Sequence, residues 1–350
     1  MIISAMVFGS CTKRSGTPDD ETNSEPKEEP TIASVKIGEA LDAIKISPAY
    51  HVLVTEETGT LKSAGDNPFE YRSYSIGLDV IGGIYDFQPD AYRYHIPASF
   101  FLNFSKTGES ENLVIRMPYN KLFFWKNPHG SSLSDTIPGN NFVITTDDYL
   151  NAREDWYNHE YLLHSELGLD NEAAGELQIH EYSGSTGGSG YSAMLDFGNT
   201  YSASISRLMG DTCTREYLLM KDEEDLFRER VMFIREDDSF DFEFVYILTL
   251  GNIEIRRGSD IQGIEVWYRG ELQNDIQIDF VKEGSGNSVF GKRDIQLTFE
   301  DGTVFLLSEI LGPYIGEMNR IFLSMMKFQR IKTLVDGAAF YIYENSRAQD

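Results

Sequence analysis

What most limits the folds open to this chain is a succession of short apolar segments of period two, separated by turn dipeptides, between residues 195 and 307. Leu195 and Phe197 meet Tyr201, Ala203 and Ile205 across Gly198-Asn199. Tyr217 to Met220 and Val231 to Ile234 flank an acidic tip at Lys221 to Asp225. Phe240, Phe242, Phe244 and Tyr246 alternate with Asp241 and Glu243, and Gly251-Asn252 turns the chain into Ile253 and Ile255. Val266 to Tyr268 and Ile276 to Phe280 flank a further loop, and Ile295, Leu297 and Phe299 return through Asp301-Gly302 into Val304 to Leu307. Successive strand side chains point to opposite faces, so this alternation buries one face and leaves the other to water. Joins this short require antiparallel neighbours.

The earlier part of the chain repeats the theme less cleanly. Ser34 to Ile46 has helical spacing and stops at Ser47-Pro48. Strands are then expected at His51 to Val54, at Tyr74, Ile76, Leu78 and Val80, and at Ile84 to Phe87 after a Gly82-Gly83 turn. More follow at Tyr92 to Ile96, Phe100 to Phe104, Leu113 to Met117, Leu122 to Trp125 and Phe142 to Thr145. Thr146-Asp147-Asp148 offers cap chemistry for a helix running to about Leu167. Gly184 to Gly190 reads as a flexible loop. Ile310 to Val335 carries a broad apolar stripe through Met318, Ile321, Phe322 and Met325, the mark of a helix laid on a core. Gly337 separates it from a final strand at Phe340 to Tyr343.

The expected class is therefore mainly β with a few helices (α+β). Antiparallel hairpin meanders would form one large curved sheet or two related β-domains, with helices packed on them. The boundaries are 1–10 for a leader, 11–33 for an acidic stalk, 34–146 for a helix and first meander, and 147–350 for the remainder. In element order only, the single-sheet form resembles the incomplete barrels of periplasmic lipoprotein carriers and sensors, whose concave face holds acyl chains. That is a likeness of architecture, and architecture does not dictate function.

The amino terminus carries an address. Met1 to Gly9 is apolar or small throughout, Ser10 and Cys11 follow, and the composition then turns polar. This reads as the end of a signal peptide, too short to span a bilayer. Phe8-Gly9-Ser10-Cys11 resembles the lipobox of bacterial lipoproteins, which implies a lipid anchor on Cys11 and residence in the cell envelope, on the periplasmic face or the cell surface of the outer membrane. The alternative is an N-terminal strand with a buried cysteine. With no Lys or Arg before the apolar run, a start upstream of Met1 is expected. Thr12 to Pro30 holds three prolines, six acids and no large apolar residue, and such a segment cannot offset its ordering entropy.

Charge narrows the partners. Acidic residues number 56 against 30 basic ones, a formal charge of −26, and such a field repels a phosphate backbone. Nucleic acid is excluded, and membrane attachment must be covalent or hydrophobic. With only Cys11 and Cys213, no disulfide framework or cysteine-rich zinc site is open to the chain. Cys213 is expected to be buried and inert.

Catalytic constellations fail inspection. His159-Glu160-Tyr161-Leu162-Leu163-His164 spaces its histidines five apart, not the four by which a helix clamps zinc. Asp222-Glu223-Glu224-Asp225 and Glu236-Asp237-Asp238 lack the spacing of a calcium loop. Ser189, within Gly187-Gly188-Ser189-Gly190, has no apolar strand running into it as a nucleophile elbow requires. No catalytic residue, metal site or cofactor is assigned. Among the aromatics, Trp125, Trp156 and the Phe240 to Tyr246 ladder read mainly as core. The adjacent pair Trp267 and Tyr268 must straddle the two faces of a strand, which makes them the candidate ligand contacts. The leading expectation is a non-enzymatic lipoprotein binding a hydrophobic ligand or partner in an apolar pocket between the sheet and the helix at 310–335. A surface module for a glycan or envelope protein is the alternative, followed by a hydrolase using paired carboxylates.

Overall fold

Helix α1 (Glu29–Ile46) opens the fold with Pro30 in its first turn, where a missing N–H costs nothing, and buries Ala33, Ile37, Ala40, Leu41 and Ile44. In the computed structural model, residues 25–53, 73–88, 97–119, 139–155, 157–185, 188–235, 242–258, 264–282, 293–326 and 329–347 are described. The helix takes in residues 29–33, which the stalk was expected to include. Glu29 is only 1% exposed and its Oε1 accepts the Asn252 backbone N–H at 3.1 Å, tying the helix start to a hairpin turn. Ser47 ends α1 and also begins α2 (Pro48–Leu53), since its hydroxyl accepts the Tyr50 N–H at 3.2 Å. The strand expected at His51 to Val54 is thus helical through Leu53.

Next come β1 (Tyr74–Gly77), the one-turn α3 (Leu78–Ile81) and β2 (Gly83–Phe87). The strand expected through Leu78 and Val80 therefore ends at Gly77. Phe100 to Asn103 belong to a 3-10 turn (Pro97–Asn103), not to a strand, and β3 (Phe104–Gly108) and β4 (Leu113–Met117) follow. The expected segments Tyr92 to Ile96 and Leu122 to Trp125 lie outside the described residues, as do Cys11, Trp156 and Phe240.

The helix expected from Asp147 to Leu167 is instead a hairpin, β5 (Phe142–Arg153) and β6 (His159–Leu169). Its turn is held by Asp155, whose Oδ1 accepts the N–H groups of Tyr157 and Asn158 at 2.7 and 2.8 Å. These two bonds hold the Asp155 carboxyl below the usual range. The meander continues through β7 (Glu172–Ser183), β8 (Ser189–Asp196), β9 (Tyr201–Met209), β10 (Thr212–Lys221), β11 (Glu224–Arg235), β12 (Phe242–Leu250), β13 (Ile253–Gly258), β14 (Glu265–Tyr268) and β15 (Glu271–Gln273).

Among the described residues these fifteen strands form one open sheet in which each strand from β4 to β15 pairs with the next. Beyond β4 lie β2 and β3, and β1 pairs with the far end of β5. The β2–β4 pair is parallel; the other pairs are antiparallel. The boundary expected at residue 146 falls inside β5, and the sheet passes through it unbroken. After β15 the chain builds a second, three-stranded sheet from β16 (Gln277–Lys282), β17 (Arg293–Thr298) and β18 (Val304–Leu306). The partner of β14 is thus β15, not the segment at Ile276 to Phe280.

Two long helices close the chain, α4 (Leu307–Met326) and α5 (Gln329–Arg347). Asp294 on β17 caps the first, its Oδ1 accepting the Ser308 N–H at 3.1 Å. The expected strand at Phe340 to Tyr343 lies in α5, with Gly337 inside the same helix. Phe340 sets its ring edge-on to Tyr74, and Tyr341 does the same to Phe101. Helices α1 and α4 cover one face of the large sheet. That face carries Leu163, Ile179, Ala193, Ile205, Leu219 and Leu248, all buried with the helices in one apolar core. The other face of β7 to β9 carries His180, Gln178, Ser192, Ser204 and Ser206.

Candidate ligand cleft

Register decides which side chains meet beneath α4. On β10, Arg215, Tyr217 and Leu219 point to the covered face. Their partners across β11 are Val231, Glu229 and Phe227, and across β12 Tyr246, Leu248 and Leu250. Period two sets this placement, and the pairing is unbroken over these residues. Opposite them, α4 presents Leu311, Ile315, Met318, Phe322 and Met326. Between sheet and helix lies a cleft of about 450 Å³.

Its deep end is aromatic and aliphatic. Phe322 packs 5.1 Å from the Tyr217 ring and 6.3 Å from Phe227. The lining also carries four polar side chains, Arg215, Glu229, Tyr246 and Asn319. The Tyr246 hydroxyl donates to Glu229 Oε1 at 3.4 Å. Burial raises the Glu229 carboxyl above its ordinary range, against the opposing pull of that hydroxyl and of Arg215. Burial likewise raises the Tyr246 phenol. The Arg215 guanidinium lies over the Tyr217 ring, 4.6 Å from its centre. A volume in the range of about 300–1,000 Å³, an apolar lining and a few convergent polar groups are the attributes of small-molecule sites.

The sequence-derived candidates lie elsewhere. Tyr268 is buried on the covered face, opposite Ile253. Trp267 is half-buried on the other face, where its indole N–H donates to Glu265 at 3.0 Å and its ring stacks under Arg256 at 4.5 Å. Neither lines the cleft. Cys213 is half-exposed at the start of β10, so the burial expected for it does not occur. Of the acidic tip, Glu224 pairs with Lys36 and Asp225 with Arg228, and no group of three metal-binding side chains exists among the described residues. Among the described residues the cleft lining contains one carboxylate, Glu229, whereas paired-carboxylate hydrolysis needs two. Sequence reasoning missed Arg215, Glu229 and Asn319 because their convergence depends on strand register and helix placement.

The pair His159 and His164 sits on a strand, where an odd spacing sends the two side chains to opposite faces. His164 is gripped on the outer face, Nδ1 by Asp147 and Nε2 by Glu176 at 2.8 Å. Partial burial opposes its protonation, but the two carboxylates outweigh it and the imidazole's pKa is raised. A raised folded-state value stabilises the fold below the ordinary histidine pKa of about 6.5, and this contribution is lost as pH rises through the folded value. The stability advantage of the natural chain over His164→Gln is expected to be about 1 kcal/mol or less at pH 6 and to vanish by about pH 9 in urea titrations. An advantage independent of pH would mean that the folded imidazole is neutral.

No helix among the described residues is long and apolar enough to cross a membrane. In comparisons with known proteins, no family model, no curated protein and no solved structure matches this chain.

Proposed function

We propose that this chain is a cell-envelope lipoprotein, tethered through an acyl group on Cys11, whose body binds a hydrophobic ligand in the cleft beneath α4 without acting on it chemically. The observation that carries the binding role is the cleft itself, an apolar space between β10 to β12 and the helix whose stripe of Met318 and Phe322 would otherwise close onto the sheet. The tether rests on the lipobox-like Phe8-Gly9-Ser10-Cys11 and the acidic, proline-containing segment after it.

Leu323 provides the test. It lines the cleft yet is 47% exposed, so enlarging it blocks the opening without overpacking the core. Chain purified from its native membranes is expected to release about one apolar molecule per protein on solvent extraction. Leu323→Trp is expected to abolish most of that release while leaving the melting temperature of the ligand-stripped protein unchanged. Extracts free of any ligand, from both proteins, would remove the binding role. An unacylated amino terminus in the mass spectrum of the mature protein would remove the tether.

A further inference from the structure

Beside the cleft, two arginines face each other across neighbouring strands, and one of them, Arg215, lines it. Arg207 on β9 and Arg215 on β10 are direct cross-strand partners, and like charges so placed destabilise an antiparallel pair. Acidic residues outnumber basic ones by 56 to 30 in this chain. Three arginines of the same sheet take carboxylates, Arg228 with Asp225, Arg230 with Glu216 and Arg256 with Glu254. Arg207 and Arg215 are both exposed, and neither has an ion-pair partner among the described residues. On the covered face Arg215 acts on Glu229 through charge without pairing with it; Tyr246 engages that carboxylate and burial opposes its charge.

Apolar side chains surround this pair. Two residues along the same face from Arg207 is Met209, 44% exposed. Two residues beyond Val231, the partner of Arg215, is Phe233, also 44% exposed and paired with the Phe244 ring. Met326, 44% exposed, stands on the helix side. Two arginines with no ion-pair partner among the described residues thus stand beside an apolar cleft and an apolar rim. A guanidinium presents a planar fork of donors that matches carboxylate and phosphate oxygens.

Building on the cleft as a hydrophobic site, we propose that its ligand is an anionic amphiphile, its tail lying among Phe227, Leu248, Met318 and Phe322 and its carboxylate or phosphate head held by Arg207 and Arg215. The bound head supplies the charge that the fold withholds from these arginines.

Oleate, oleyl phosphate and oleyl alcohol share one tail and differ in the head, so titrating each into the full chain separates the two claims. At least one of the anions is expected to bind about tenfold to a hundredfold tighter than the alcohol, the range for a charge-assisted hydrogen-bonded pair. The stronger of the two then tells a free fatty acid from a phosphorylated lipid. Arg207→Gln with Arg215→Gln is expected to abolish the anion's advantage over the alcohol, read as the ratio of the two affinities in the same protein, so that any change in the packing of the cleft cancels. The corresponding double Lys variant, which keeps charge but loses the fork, is expected to fall between. Equal binding of all three compounds to the natural chain would overturn the anionic head while leaving the hydrophobic site intact. Absence of binding by all three, the alcohol included, would overturn both.

Discussion

Asp336→Ala is expected to cost about 2–5 kcal/mol of folding stability, because it strips the shared acceptor from a buried hydrogen-bond cluster. Asp336 projects from α5 towards β5 and β6. Its Oδ1 accepts the hydroxyls of Tyr149 and Tyr161, each at 3.0 Å, and its Oδ2 takes the Lys332 ammonium at 2.7 Å. That ammonium also lies 3.7 Å from the centre of the Tyr161 ring. Tyr161 is fully buried and Tyr149 nearly so, and burial holds both phenols well above their ordinary pKa. Without the carboxylate, the Tyr161 hydroxyl loses the acceptor that the fold provides. Asp336→Asn keeps one acceptor oxygen and is expected to cost less than the alanine change. The urea midpoint is the readout, with hydrogen exchange along α5 showing whether that helix detaches before the sheet melts. A midpoint for Asp336→Ala within error of the natural chain would mean that α5 is held by its apolar contacts with Phe101 and Tyr74 alone.

The same cluster shows why parts of the fold were illegible in the sequence. Tyr149, Asn151, Tyr161 and Leu163 do alternate, but Leu150 and Leu162 put apolar side chains on the outer face as well, so period two is masked. A bulge between Thr146 and Asp148 shifts the register once more. Asp155, which closes the turn, offers the same side-chain oxygen that would cap a helix. Conversely, Phe340 to Tyr343 looks strand-like in isolation and is helical because Ala338 and Ala339 let α5 pack closely on its neighbours. The hairpins from Leu195 to Ile255 were legible since one of their faces is apolar at most positions, with Arg207, Arg215 and Glu229 as exceptions. A helix over the sheet near Met318 and Phe322 was legible by its stripe, and the cleft lies beneath it. Arg207 and Arg215 were not, because being opposite one another is a property of pairing between strands and leaves no trace along either one.

Gly175 sets two physical effects against each other, and their sizes decide the outcome. Within a strand, glycine is ordinarily worse than alanine by about 0.5–1 kcal/mol, a gain that Gly175→Ala on β7 would draw on, although the φ of +159° at Gly175 is one that residues with a Cβ rarely adopt. An added Cβ, however, would stand 2.5 Å from the Asp196 carbonyl oxygen and 2.7 Å from the Ala49 Cβ. Neither neighbour can give way cheaply. Asp196 pairs with Glu176 in the β7–β8 ladder, and Ala49 is fully buried where α2 crosses β7. Overpacking of a core commonly costs about 1–3 kcal/mol, and a clash with ladder backbone belongs at or above the upper end, so Gly175→Ala is expected to lose at least about 2 kcal/mol net. Combining it with Ala49→Gly removes the Cβ contact but not the carbonyl contact, so the double variant is expected to recover only part of the loss. That incomplete coupling, read as a double-mutant cycle in urea, distinguishes helix packing from ladder distortion. A Gly175→Ala protein as stable as its parent would show that α2 does not press on the sheet at this point, and complete recovery in the double variant would assign the whole penalty to the helix.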